Sequence, residues 1–406
     1  MSEVSIPRLP RRNLTVRLTH SAERIVRLEH PWLYAESLRE VPSSGAAGDL
    51  AVLYDHDRQV FALGLYDPES PIRVRVLWRG KPRTIDTAFF VERVRAAAAL
   101  RDPLHTTDTT GFRVVNGESD GLPGAIVDRY GDTLVLKLYT AAWLPWLSEL
   151  VPALATALAP ARIVLRVARA VAEVFETRAG LRDGVVVHGE PIVAPIEFRE
   201  LGLRFLIDPR RGQKTGFFLD QRENRARVGA RARGKSVLDT FAYMGAFSLH
   251  AARGGARHVT SIDASGPALA ALRETFALNG QREAEVVQGD AFEVLERFAR
   301  AGRRFDLVVL DPPFFARRAE ELPRALVAYT RLAELGLRLV EPGGELVFAS
   351  CSARVTVDEL AQALRGAADR TGRAAEERLR TGHALDHPAT FPEAHYLKCI
   401  YARVTP

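Results

Sequence analysis

Apolar and polar positions alternate with a period of two over much of residues 14–78. The runs LTVRL, DLAVLYD, QVFALGLYD and IRVRVLW are separated there by turn signals such as Ser43-Ser44-Gly45 and Asp67-Pro68. Side chains that alternate in this way cover one face of a sheet, so the stretch predicts a small all-β module. The period then changes. Thr87 to Arg101 reads as a helix, followed by strands at 112–115, 125–127 and 134–138, a helix near 143–158, and strands at 162–168 and 184–187. Together these predict a small α+β module, and Pro191 and Pro195 mark a linker after it.

From about residue 196 onward strands and helices take turns. Strands at 236–239, 258–263, 285–287, 305–310 and 345–349 are each followed by a helix, with helices from about 245 and at 267–278, 291–300, 320–339 and 357–368. A closing strand is expected at 396–403. Regular alternation requires right-handed crossovers and predicts a doubly wound, mostly parallel sheet. The expected organisation is α/β in three parts: an N-terminal β-module at 1–80, an α+β module at 81–192 and the doubly wound domain at 193–406.

Composition narrows the class. A chain of 406 residues with 47% hydrophobic side chains can bury several cores. In the most hydrophobic region, Ala141 to Ala168, the residues Pro145, Ser148, Glu149, Pro152 and Pro160 interrupt the apolar run short of the roughly 18 residues that a membrane span needs. The start, MSEVSIPRLPRRN, lacks the apolar core of a secretory signal. Two cysteines make neither a disulfide framework nor a four-ligand zinc site, and reduced thiols fit a cytoplasmic protein.

A net charge of +6 and a pI near 9.5 favour a polyanionic partner. Between Arg210 and Lys235 stand nine Lys or Arg residues, Lys214 and Arg222 among them, against two acids, Asp220 and Glu223. The strip is a candidate phosphate-facing surface; the alternative is a solvated helix face. Arginine outnumbers lysine 51 to 5, which suits bidentate phosphate contacts but equally follows from a GC-rich genome.

Ligands of doubly wound sheets bind beyond the carboxyl ends of the strands. Here those ends carry Asp239, Asp263, Asp290, Asp311 and Ser350-Cys351. The turn Asp239-Thr240-Phe241-Ala242-Tyr243-Met244-Gly245 lacks the GxGxxG spacing of a dinucleotide site. Asp263 suits the two ribose hydroxyls of a nucleoside, and Asp290, before Ala291, suits the exocyclic amine of an adenine. Each acid alone is as well explained as a helix N-cap. On consecutive strands they favour a pocket for S-adenosylmethionine. In Asp311-Pro312-Pro313-Phe314-Phe315 two prolines remove backbone donors and stiffen the chain, projecting the Asp carboxylate and the Pro312 carbonyl; an aromatic beyond them can stack on a base.

Across nearly its full length the chain resembles the bacterial large-subunit ribosomal RNA cytosine-5 methyltransferases that carry an N-terminal PUA domain. The matching stretches are HPWLY (30–34), NGESDGLPGAIVDRYGD (116–132), KTGFFLDQRENR (214–225), LDTFAYMGAFSLHAARGGA (238–256), DPPFF (311–315), FASCS (348–352) and DHPATFPEAHYLK (386–398). The resemblance implies a PUA-like β-barrel, a small α+β middle domain and a Rossmann-like class I methyltransferase domain that uses S-adenosylmethionine. It implies that Phe218, Gln221, Asp239, Phe241, Tyr243, Gly245, Asp263, Asp290, Ala291 and Asp311 line the cofactor site. Lys214, Arg222, Pro312, Pro313 and Phe314 would meet the RNA, and Cys351 would be the nucleophile. Met244 and Phe314 depart from the family pattern, which often has a small hydroxyl residue and a lysine there.

The chemistry asks for such a thiol. Carbon 5 of cytosine is too weak a nucleophile for a sulfonium methyl, and addition of a thiolate to carbon 6 makes it an enamine that is strong enough. A base must then take the carbon 5 proton, and Asp311 is the group at hand. Cys399, inside the apolar strand Tyr396 to Tyr401, reads as core packing. The target base must leave its stack, which gives residues 1–190 the role of holding RNA; structural packing or a homodimer interface is the other role open to them. Two further readings stay open: methylation of an exocyclic amine at the DPPF motif without Cys351, and a non-catalytic RNA-binding assembly factor.

Overall fold

A computed structural model describes residues 5–40, 44–210, 215–316 and 318–405. The chain forms two compact units. The first comprises Met1–Gly202, Leu206–Leu219 and Leu385–Phe391. It contains a six-stranded sheet in the order Trp32–Tyr34, Ile72–Arg79, Val60–Tyr66, Leu50–Tyr54, Asn13–Leu18, Leu38–Glu40. Its neighbours are antiparallel except for Asn13–Leu18 against Leu50–Tyr54.

The all-β expectation for this stretch needs a correction, because His20–Arg27 is a helix. The Thr19 hydroxyl accepts from the Ala22 N–H at 3.2 Å, and the helix buries Ala22, Glu23 and Val26, a helical spacing that a search for period two passes over.

A five-stranded sheet follows, in the order Val185–Gly189, Arg162–Val167, Thr133–Leu138, Ala125–Tyr130, Gly111–Asn116. Helices Thr87–Ala99, Leu147–Leu158 and Ala172–Ala179 accompany it, the last without a counterpart in the sequence reading. Leu50, Leu63, Leu65 and Leu77 of the first sheet share one apolar cluster with Phe89, Phe90, Trp143 and Trp146. The helix expected near 143–158 is present, its first turn in the 3-10 form. Pro145 sits in the 3-10 turn Ala141–Trp146, and Pro152 lies inside the helix that follows. Burial of Leu147, Leu150, Val151 and Leu154 outweighs a proline cost of about 3 kcal/mol. Ala141–Leu158 has the length and composition of a membrane span, but 61% of it is buried within the protein, as in a core helix.

The second unit comprises Leu203–Phe205, Asp220–Ala384 and Pro392–Pro406. Its seven strands are β1 (Ser236–Thr240), β2 (His258–Asp263), β3 (Glu285–Gln288), β4 (Phe305–Leu310), β5 (Val340–Ser350), β6 (Ala374–Thr381) and β7 (Lys398–Thr405). Their order in the sheet is β3-β2-β1-β4-β5-β7-β6. The first five pair in parallel, and β7 runs antiparallel to both β5 and β6. Leu238, Ile262, Val308, Leu310, Leu346 and Phe348 are all buried, which is why the central strands read as continuous apolar runs. The expected closing strand is β7. The sequence reading missed β6: AAEERLRT is a charged, largely exposed edge strand with no apolar face to betray it.

The first unit holds two buried ion pairs. Arg101 forks onto Asp120 at 2.9 and 2.6 Å, and Arg113 onto Asp128 at 2.7 and 3.0 Å. The Arg113 N–H also donates to Asp386 at 2.7 Å, and the Arg101 guanidinium to the Asp386 carbonyl at 2.9 Å, so that Leu385–Phe391 is tied to this sheet. Arg113→Met leaves the buried Asp128 carboxylate without its cation and is expected to lower stability by about 3–5 kcal/mol. Urea unfolding checks this; a loss well under ~1 kcal/mol would mean that the pair is screened by water.

Candidate active site

The carboxyl end of β1 carries Asp239, 1% exposed. Its Oδ2 accepts the Ser248 N–H at 3.0 Å and the Ser248 hydroxyl at 2.7 Å, while Oδ1 is buried with no hydrogen-bond partner among the described residues. Burial pushes this carboxyl up to about 7 against the two Ser248 bonds, and the charges of Asp311 and Asp263 push it further.

The turn that follows is tight. Phe241, Tyr243 and Gly245 have φ of +57°, +51° and +76°, so two non-glycine residues sit in the left-handed region. The Ala242 N–H ties the turn to the Ile262 carbonyl at 2.9 Å, and a Cβ on Gly245 would lie 2.4 Å from Leu272 Cγ.

At the end of β2, Asp263 accepts the Tyr243 N–H on Oδ2 and the Ser265 N–H on Oδ1, both at 2.8 Å. This leaves each oxygen a further lone pair for a ligand. Asp290, beyond β3, is exposed and caps the helix Ala291–Arg300, its Oδ1 accepting from Phe292 and Glu293 at 3.0 and 3.2 Å. Ala291 is buried behind it.

Asp311 ends β4. Its Oδ1 accepts the Gln221 side-chain amide at 2.9 Å, and Gln221 is oriented in turn by Asn224, whose amide donates to Gln221 Oε1 at 2.6 Å. Asn224 was missed by the sequence reading, although it stands inside the stretch KTGFFLDQRENR. Pro312 is buried, Pro313 and Phe314 are exposed, and Phe315 turns inward onto Tyr329 with ring centroids 4.8 Å apart.

Cys351 follows the last residue of β5, half-buried, with Sγ 4.0 Å from the Pro312 carbonyl. The flanking serines fix its loop: Ser350 Oγ lies 2.8 Å from the Tyr329 hydroxyl, and the Ser352 hydroxyl donates to the Ala316 carbonyl at 3.1 Å. Cys399 is fully buried in β7, and burial pushes its thiol up to about 12. Lys398, also missed, is 7% exposed, and its ammonium donates to the Ser352 carbonyl at 2.5 Å.

Within the second unit, several cations of the basic strip are engaged inside the protein. Arg222 and Arg225 are 1% and 2% exposed, and Arg222 pairs with Glu223 at 3.1 Å. Arg231 and Lys235 face Glu345 at 3.6 and 3.7 Å. The expectation that Arg222 meets RNA phosphate is corrected accordingly. Helix Arg222–Arg231 buries its inner face where Gly229 meets the His250 carbonyl, and the arginines on that face are internal. Lys214 lies outside the described residues. Phe218 is half-buried and belongs, through Leu206–Leu219, to the first unit.

These groups suit S-adenosylmethionine: an orphaned buried carboxylate oxygen, a pinned acid with lone pairs to spare, and a turn where glycine keeps the backbone close to its neighbours. With this sheet order they define a class I S-adenosylmethionine-dependent methyltransferase. Residues 177–400 match the family described as S-adenosylmethionine-dependent methyltransferase, and residues 16–79 match the PUA-like domain. A structure described as a SAM-dependent methyltransferase from Streptococcus mutans has a TM-score of 0.81 over 96% of this chain and 100% of its own, at 20% identity. A methyltransferase complexed with SAH has the same TM-score over 96% and 99%, at 21% identity. Both likenesses are ones of fold. The ribosomal RNA large subunit methyltransferase of Deinococcus radiodurans is 47% identical over 99% of this chain and 100% of its own length. Ribosomal RNA large subunit methyltransferase I of Shewanella amazonensis is 35% identical over 97% and 100%. The chain belongs to the ribosomal RNA large subunit methyltransferase family.

Asp239 makes a pH-dependent prediction. Its folded value, about 7, lies above its ordinary 3.8, so its favourable contribution is full at low pH and is lost as pH rises through about 7. Asp239→Asn removes that loss. The melting temperature of the variant minus that of wild type is expected to grow from about pH 5 to about pH 8 in the absence of cofactor. An equal difference at both pH values would rule out a raised carboxyl.

Proposed function

We propose that this protein methylates carbon 5 of a cytidine in 23S, large-subunit ribosomal RNA through a transient covalent bond between Cys351 and carbon 6 of the base. The observation that carries the reading is the approach of the Cys351 thiol to the Pro312 carbonyl, 4.0 Å away, with Asp311 one residue earlier in the chain. A carbonyl and a carboxylate that accept from the cytosine amino group would hold the ring within reach of that thiol.

S-adenosylmethionine supplies the methyl group as a sulfonium electrophile. Asp239, Asp263 and Asp290 would hold it, with the backbone of Phe241 to Gly245 and Ala291 beside it. The Cys351 thiolate adds to carbon 6, and the electrons of the 5,6 double bond make carbon 5 the nucleophile. After methylation Asp311 accepts the carbon 5 proton, the double bond re-forms and the thiolate leaves. Gln221 keeps the Asp311 carboxylate in one orientation for this step. Phe314, exposed beyond the two prolines, stacks on the flipped base or its neighbour.

The three-part organisation is part of the proposal: residues 1–80 as a PUA-like RNA-binding domain, 81–192 as a middle domain and 193–406 as the methyltransferase domain. The relatives' names carry the choice of large-subunit ribosomal RNA.

The test incubates wild type and Cys351→Ala with S-adenosylmethionine and unmodified large-subunit ribosomal RNA, then digests to nucleosides for mass spectrometry. We expect 5-methylcytidine from wild type and none from the variant, with cofactor binding intact in both. A methylated amine that survives Cys351→Ala would sink the thiol adduct. A protein that binds RNA and cofactor but modifies nothing would favour an assembly role.

A further inference from the structure

We propose that Lys398 is the positioning residue for Cys351: its buried ammonium, held by two backbone carbonyls at the mouth of β5, is the counter-charge of the thiolate. The inference rests on Cys351 being the nucleophile of the reaction.

Register brings the two together. β7 begins at Lys398, whose Cα stands opposite Ser350, so the lysine side chain rises beside the loop that carries Cys351. Its ammonium donates to the Ser352 carbonyl at 2.5 Å and to the Tyr396 carbonyl at 3.1 Å. Two carbonyls hold the charge, one of them on the residue that follows Cys351. The lysine is 7% exposed, and among the described residues no carboxylate lies within ion-pair distance of its Nζ. A buried ammonium without an anion is costly, and neutral carbonyls repay part of that cost.

Charge reaches it from two neighbours. Burial lowers the lysine to about 8, and the Cys351 thiolate, then Glu359 on helix Val357–Thr371, hold it up. It therefore stays largely protonated at neutral pH. Three further groups near Cys351 among the described residues carry no positive charge. Tyr329 is pushed up to about 12 by burial and is neutral, and its hydroxyl is engaged with Ser350. The carboxylate of Asp311 is no cation, and its charge raises the neighbouring Tyr329 and Cys399. Cys399 is a buried, neutral thiol. Within this set Lys398 is the cation.

The test reads the thiol directly. Wild type, Lys398→Met and Lys398→Arg are alkylated with iodoacetamide across pH, and the Cys351 peptide is quantified by mass spectrometry apart from that of Cys399. We expect Lys398→Met to shift the Cys351 profile upward by about one pH unit, with roughly tenfold slower alkylation at neutral pH, and Lys398→Arg to restore most of the rate. Superimposable profiles for wild type and Lys398→Met would overturn the proposal. If Lys398→Met lacks a cooperative melt, Cys351→Ala carries the test in reverse: without its anion the Lys398 amine should be acetylated faster by acetic anhydride at neutral pH, and an unchanged rate overturns the proposal. Nucleoside analysis of the same proteins keeps the two readings apart. A shifted profile together with methylation that survives Cys351→Ala leaves the lysine–thiol pair standing and removes the nucleophile.

Discussion

Parallel pairing of β4 with β5, Leu310 opposite Phe348, is the constraint on which the rest of the site depends. β1 pairs with β4 on its other side, Thr240 opposite Leu310, so the three strands end at one edge of the sheet. Parallel strands send all their carboxyl ends the same way, and a crossover helix follows each one. Asp239, Asp311 and Cys351 are far apart in the chain yet share that edge, because the apolar residues before each of them are buried on both faces of the sheet. A slip of one residue between β4 and β5 would exchange the layers against which those apolar side chains pack, and it would take the thiol away from the Pro312 carbonyl.

That edge is electrostatically demanding. The charges of Asp311 and Asp263 add to the effect of burial in raising the proton affinity of Asp239, and the structure answers with fixed donors. Asp263 is held by two backbone N–H groups, Asp239 by Ser248, and Asp311 by an amide that Asn224 orients. The oxygen that receives no donor, Asp239 Oδ1, is the buried position where a ligand's polar group gains most. Lys398 brings a positive charge to the same edge from the antiparallel strand β7, which is where this sheet departs from an all-parallel one.

Much of this was legible in the residues. In an alternating α/β pattern, a continuous apolar run that gives way to Asp, Asp-Pro-Pro or Ser-Cys-Ser marks the point where a buried strand leaves the sheet and meets solvent. The elements that escaped lack that contrast. His20–Arg27 is eight residues long, and its buried positions interrupt a period of two without announcing another. β6 is an edge strand clothed in charge, with no apolar face to report.

What the sequence determined by itself was the type of sheet, the order of its strand-end groups, and which two cysteines were available, since these follow from local periodicity and from side-chain chemistry. Tertiary structure decided which side chains face one another. Arg222 looked like a phosphate ligand and is buried beside Glu223, because the helix that carries it turns that face inward. Gln221, read as a cofactor contact, donates to Asp311, a pairing that no spacing announced. Lys398 looked like the end of a motif, and it anchors the loop of Cys351 from a strand much further along the chain. Such pairings depend on register and on the packing of whole elements against each other, and no spacing along the chain encodes them.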